Sequence, residues 1–538
     1  MQLTTPAYLT NTMTLNGTLY KAGLGMLDIS QSVNIGNGNI VVQQGSLALV
    51  SNSPTFPPLT IGGTGSIIVS NGATLHLAVG DPGSFNVTKS VVLSNGANLN
   101  FGFNGSLSYG LATTPVQWNG TNYLNWNSST SGNIVFSNAW TGSGLINWTN
   151  TQLTGAYCAL GLAGDNSQFY GKMNCVCRSS SSTPSSLRFQ SDNSGSTNAE
   201  WSINDPTSAF VIFAAFGNFP TNIQLGALSG TSGKINNATG NGHFASFTIG
   251  ALNKSTTCGA YITDGGGSPA SYLGLVKVGA GTLTLTSTNS YTGGTIINNG
   301  AVASLCATGS GIGNGPVDVK NGATFSGIGL SASSAVTVEA GGTLVTPGGT
   351  PLMLNSLTLG TNSTDLNDVT TTAINAGAGG QIDAGNSLIV NGTNIINITG
   401  TASGLALTTY DLIKYESSVG GINGTGFSGF KLGTLPSQVV ATLQDSGTAI
   451  QLAVTSTNAP VTYSTNLTTS VSAGILTLSW PAATHTGWIL QAQTNSLASG
   501  LGTNWFPVSG STTTNKASIP LDQAQPAVFY RLASPYNP

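Results

Sequence analysis

The chain has 538 residues, with 13 Lys and Arg against 16 Asp and Glu, a formal net charge of −3 and only 5% charged residues. Ordinary soluble domains carry roughly 25% charge, so most of this surface has to be Asn, Thr, Ser and Gly. So few scattered cations cannot track a phosphate backbone, which excludes nucleic acid as a partner. No apolar run reaches the roughly 18 residues of a transmembrane helix. A hydrophobic content of 39% argues against disorder.

In chain order, residues 1–20 alternate loosely around Met13, Leu15 and Leu19, with Asn16-Gly17 as a turn. They read as a cap, or as an exchangeable strand that pairs with a neighbouring subunit. Lys21–Ile29, KAGLGMLDI, opens the first regular section and fits Lys-x-Gly-x-Gly-x-Leu-x-(Ile/Leu). A second signature follows: an apolar residue, two small or polar residues, Gly, a small residue, any residue, then Leu or Phe. It occurs as Val69-Ser-Asn-Gly-Ala-Thr-Leu75 and Leu93-Ser-Asn-Gly-Ala-Asn-Leu99, and again as Val319-Lys-Asn-Gly-Ala-Thr-Phe325 and Val338-Glu-Ala-Gly-Gly-Thr-Leu344. Period-two alternation marks strands with one buried face, and the glycines mark corners. A recurring unit of about 20–25 residues cannot bury its own apolar face and has to stack on its like. The expected class is all-β, a right-handed parallel β-helix.

Residues 116–226 break the regularity. Five of the eight tryptophans lie there (Trp118, Trp126, Trp140, Trp148, Trp201), with Cys158, Cys175 and Cys177 and a Ser-rich tract. The stretch reads as coils bearing longer loops. Trp118, Trp126, Trp140 and Trp148 are then candidate contacts for a ligand or partner, or else plugs at loop bases. Five cysteines leave an odd thiol in a secreted chain. The expectation is structural thiols or a disulfide among Cys158, Cys175, Cys177 and Cys258, although Cys175 and Cys177 share one side of a strand too closely to bridge each other.

Regular coils resume over residues 227–455. At their heart Lys277–Leu305, KVGAGTLTLTSTNSYTGGTIINNGAVASL, repeats the Lys-x-Gly-x-Gly opening. This stretch, with its flanks Leu228–Gly267 and Val390–Val454, resembles the autotransporter-associated β-strand repeat of secreted bacterial passenger proteins. The resemblance implies a β-helix outside a bacterium. It implies no catalytic residue and no cofactor, because the repeat is a scaffold signature.

Composition shifts after Thr455. Residues 456–538 hold four alternating segments, LTLSWP, GWILQAQTN, NWFPV and AVFYRLA, with Trp480 and Trp488 expected inside. They read as a small antiparallel β-sandwich. It broadly resembles fibronectin type III and stands where an autotransporter carries its membrane barrel. A barrel needs at least about eight strands of ten residues, more than this tail can supply.

Chemistry is hard to assemble from the remaining residues. Asp365-Leu-Asn-Asp368 is the densest acidic group and has the form of an Asx-type turn. His76, His243 and His485 lie in three separate regions. The leading expectation is a non-catalytic extracellular structural protein, a rod serving as stalk, adhesin or self-assembling fibre subunit. Its partner would be a second copy of itself, or a surface polysaccharide. The alternatives are a carbohydrate-binding adhesive module and a polysaccharide lyase or hydrolase.

Overall fold

The computed structural model describes the chain apart from residues 1–6, 10–12, 15, 31–32, 35, 52–58, 81–84, 88, 105–114, 127–131, 151–157, 177–184, 206–211, 216–219, 239–241, 363–364, 366, 416–420, 458–466, 482–486, 497–499, 523, 526 and 534–538. It divides into two compact units, Met1–Thr457 and Asn458–Pro538.

The first unit is a parallel β-solenoid. Ser46–Ser51 pairs in parallel with Thr74–Gly80, that strand with Asn98–Asn104, and so on through Thr121–Trp126, Leu145–Asn150, Lys172–Cys175 and Ser196–Asn204. The register is held by an inward column in which Leu47, Leu75, Leu99, Leu124, Trp148, Cys175 and Ile203 follow one another directly. All seven are buried. Slipping any strand by one residue would turn its apolar set outward. Each aliphatic member contributes about 1.5–3 kcal/mol by leaving water, so the pattern fixes the stacking. Further on, Leu283, Val302, Phe325 and Leu344 form an equivalent buried column.

Coil length varies more than the repeat suggests. Ladder partners one coil apart are 25 residues apart at Asn100 and Asn125, 27 at Asn147 and Asn174, and 19 at Lys320 and Glu339. The longer coils carry strands on three faces, as in Val116–Trp118, Thr121–Trp126 and Gly132–Phe136. The shorter ones turn on two, as in Thr295–Ile297 and Ala301–Leu305. The stretch 116–226 therefore continues the stack, its strands extending the sheets before and after it.

Corners fall at glycines. Gly300 has φ of 66°, and an added Cβ would collide with the carbonyl of Gly279 in the preceding coil. Here the turn needs both left-handed backbone and close approach, and only glycine supplies them together.

The described parts of residues 1–20 pair onto the coil that follows: Ala7–Leu9 with Met26–Ile29, Met13–Thr14 with Val33–Asn34, and Leu19–Lys21 with Ile40–Val42. At the other end the pairing reverses. Thr409–Lys414 and Val439–Asp445 both pair antiparallel with Ala449–Thr457. That reversal ends the parallel stack.

The second unit is an antiparallel sandwich of two three-stranded sheets. Thr468–Ser472, Ile475–Ser479 and Lys516–Pro520 form one sheet. Ile489–Thr494 is central in the other, between Phe506–Pro507 and Val528–Ala533. Leu478, Trp480, Leu490 and Ala517 fill the space between the sheets. Six strands replace the four expected, because the short Thr468–Ser472 and Lys516–Pro520 carry almost no apolar signal. Trp480 is buried as expected, whereas Trp488 is only half-buried and outside that core.

Candidate functional site

The repeated Lys-x-Gly-x-Gly motif has a structural task. The Lys21 ammonium donates to the carbonyls of Gly23 (2.7 Å) and Gln44 (2.8 Å). Lys277 donates to Val278 (2.6 Å), Gly279 (2.7 Å) and Asn299 (3.3 Å). Each lysine thus ties its own corner to the corner of the next coil, satisfying carbonyls that the turn leaves unpaired. Both side chains are buried. Desolvation lowers both ammonium groups, and Lys277 falls to about 8. The recurrence of lysine was visible in the sequence; its place beneath the corner was not.

The tryptophans read either as ligand contacts or as plugs all point inward. Trp118, Trp126, Trp140 and Trp148 are at most 2% exposed, inside the shaft. Trp118 and Trp140 pack with ring centroids 5.1 Å apart, and Trp140, Phe169 and Trp201 continue the stack at 6.0 and 6.3 Å. The wide three-faced coils have room for large side chains, and aromatic burial is the cheapest way to fill it. The outward positions of these coils instead carry amide ladders. Asn125 donates to Asn100 (2.9 Å), Asn174 to Asn147 (3.0 Å) and Asn204 to Asn174 (2.9 Å).

Of the two readings of the cysteines, the described ones fit structural thiols and not a disulfide. Cys158, Cys175 and Cys258 are buried free thiols. Cys175 and Cys258 belong to one inward column, with Ile203 and Gly230 between them. Three strand spacings, about 14 Å, are far beyond a disulfide's reach. Cys158 faces inward from another sheet. Burial pushes all three thiols upward, Cys258 to about 11, so they behave as small apolar fillers. Cys177 lies outside the described residues. At Cys306 burial also pushes up, but hydrogen bonds from Thr288 and from Thr308 and Gly309 outweigh it and hold the thiol below its usual range.

The acids are occupied by the backbone. Asp368 accepts from the amides of Thr361 (2.5 Å) and Asn362 (2.6 Å), and Asp365 from that of Asn367 (2.9 Å). These are turn-forming contacts. His76 and His243 sit in separate coils, and His485 is outside the described residues. Among the described residues, no group of three or more His, Cys, Asp or Glu is placed to hold a metal, and no helix is long and apolar enough to cross a membrane.

A different constellation emerges in the sandwich. The Arg531 guanidinium carbon lies 4.5 Å from the centroid of the Trp505 ring, and its Nε donates to Gln491 Oε1 (2.9 Å). Arg531 is exposed and Trp505 half-buried. Both residues were legible only as members of two separate strands, since cross-strand register brings them together.

Comparison with known proteins agrees with this architecture. The family model described as the passenger-associated-transport-repeat matches residues 275–303. The matched segment spans the Lys277 corner and the strands that follow it. A search of curated proteins finds no match. The chain is thus a parallel β-solenoid followed by a small antiparallel sandwich, and at residues 275–303 the solenoid is similar to the repeat of autotransporter passengers.

Proposed function

We propose that the protein is a non-catalytic structural rod displayed outside a bacterial cell, acting as a stalk, adhesin or subunit of a self-assembling surface fibre. The observation that carries this reading is the pair of buried inward columns of the shaft, whose outward side carries mostly amide and hydroxyl ladders. A stack of this kind transmits position along its axis, because each coil contacts only its neighbours. The matched transport repeat supports a secreted setting.

Self-association is supported by two features. With 5% charge the faces carry little repulsion to keep copies apart. The strand Val439–Asp445 pairs along one edge only among the described residues, and Val440 on it is 57% exposed. An unpaired edge strand without lysine or proline readily accepts another strand. Negative-stain microscopy of the purified full chain tests the reading. Elongated particles that join into longer filaments as concentration rises are expected, and Val440→Pro should shorten them. Compact, monodisperse particles at every concentration would count against it.

A further inference from the structure

We propose that the outer face of the sheet Phe506–Pro507, Ile489–Thr494, Val528–Ala533 is a binding site for a uronate polysaccharide, with Arg531 taking the sugar carboxylate and Trp505 and Phe529 the ring faces. The site stands whether or not the shaft polymerises.

Register assembles it. Gln491 is opposite both Pro507 and Arg531, and Gln493 is opposite Phe529. Continuing the Gln491–Pro507 register by two residues brings Trp505 beside Gln493. On one face of the sheet Arg531 therefore lies beside Gln491 and Phe529 beside the buried Gln493, and the Trp505 ring reaches Arg531 across the central strand. Alternate residues of a strand share a face, so Gln491, Gln493, Phe529 and Arg531 lie on the side away from Leu490, Tyr530 and Leu532, which point into the core.

The floor is fixed. Gln493 is 4% exposed, accepts from the Gly502 amide (2.7 Å) and Asn495 Nδ2 (2.5 Å), and donates to the Gly502 carbonyl (3.1 Å). Arg531 is held by the Trp505 ring on one face and by Gln491 at its Nε. Among the described residues its two terminal nitrogens have no acceptor. An exposed guanidinium held over a ring and through its Nε keeps its terminal fork for bidentate capture of a carboxylate.

Charge selects the partner. Residues 458–538 contain three formally charged side chains, Lys516, Asp522 and Arg531. Asp522 is committed to its own turn, accepting from the Ala524 amide (2.9 Å) and Gln525 Nε2 (3.3 Å). Among the described residues of this unit Arg531 thus has no carboxylate partner, and it lies against the Trp505 ring with Phe529 two positions away on its own strand. Aromatic faces pack against the C–H faces of pyranose rings, and a guanidinium beside them suits the carboxylate of a uronate in the same chain. An acidic peptide would use the charge but not the paired rings.

Binding of the full-length chain to immobilised polygalacturonate tests the assignment, with methyl-esterified polygalacturonate and polyglutamate as comparison arms. Saturable binding to polygalacturonate alone is expected. Arg531→Gln should weaken it at least roughly tenfold, the share of one charge-assisted pair. Trp505→Ala should weaken it as well. Arg531 is exposed, so Arg531→Gln keeps its melting curve and decides the matter if Trp505→Ala fails to fold. No binding by the parent protein, equal binding by Arg531→Gln, or equally tight capture of the ester or of polyglutamate would overturn the proposal.

Discussion

Lys277 shows how far a single side chain can be read as a physical device. Its ammonium is buried against three carbonyls with no carboxylate among its contacts. Desolvation brings it down from 10.5 to about 8. Between those two values the unfolded chain binds more protons at this site than the folded one, so its contribution to stability rises with pH across that window and is flat below it. The buried thiols push the other way, since Cys258 is raised from 9.0 to about 11. The clean readout is therefore a difference. From pH 8 to pH 10 the melting temperature of the parent protein should rise relative to that of Lys277→Met, measured by calorimetry at matched buffer ionisation. Parallel curves would show that the corner lysine does not titrate in the folded shaft. Lys277→Met should also be less stable at pH 8 by about 1–3 kcal/mol, because it strands buried carbonyls.

At the scale of the element, the coil corner separates two costs that glycine usually hides together. Gly300 and Gly322 both take left-handed backbone, with φ of 66° and 74°. At Gly322 an added Cβ meets nothing within 4 Å, whereas at Gly300 it runs into the Gly279 carbonyl. Gly322→Ala should cost only the conformational penalty of about 1–2 kcal/mol. Gly300→Ala has to move a backbone carbonyl as well and should cost clearly more, as denaturant titration of the two variants would show. Equal costs would mean that the corner relaxes freely.

The same comparison explains what the sequence could disclose. The strands over Lys277–Leu305 and their stacking followed from period two and the glycine corners, because those signals are local. The tryptophans were ambiguous because a coil with strands on three faces has interior room that the local pattern does not disclose. Trp118 and Trp140 then look like loop aromatics until their rings are seen 5.1 Å apart. Cys175 and Cys258 suggested a bridge for want of the column that holds them apart. Arg531 and Trp505 gave no signal at all, since their meeting depends on antiparallel register across residues that the sequence separates.

For the whole molecule, the scarcity of charge divides its interactions into two kinds that ionic strength can tell apart. Contacts between neutral amide and hydroxyl faces, or between unpaired strand edges, involve no charged groups for counterions to screen. Salt that shortens the Debye length from about 10 Å to about 3 Å should leave them almost unchanged. Sulfate, which is excluded from protein surfaces, should strengthen them. Capture of a uronate by Arg531 is a charge-assisted contact at an exposed residue, and the same salt should weaken it several-fold. Sedimentation of the full chain and its binding to polygalacturonate, followed side by side from about 0.1 M to about 1 M sodium chloride, should diverge: assembly stays constant while glycan binding falls. If assembly instead collapsed with salt, the joint between copies would have to run through the few ion-paired positions, such as Lys172 with Glu200 and Lys320 with Glu339. The neutral faces would then be bystanders.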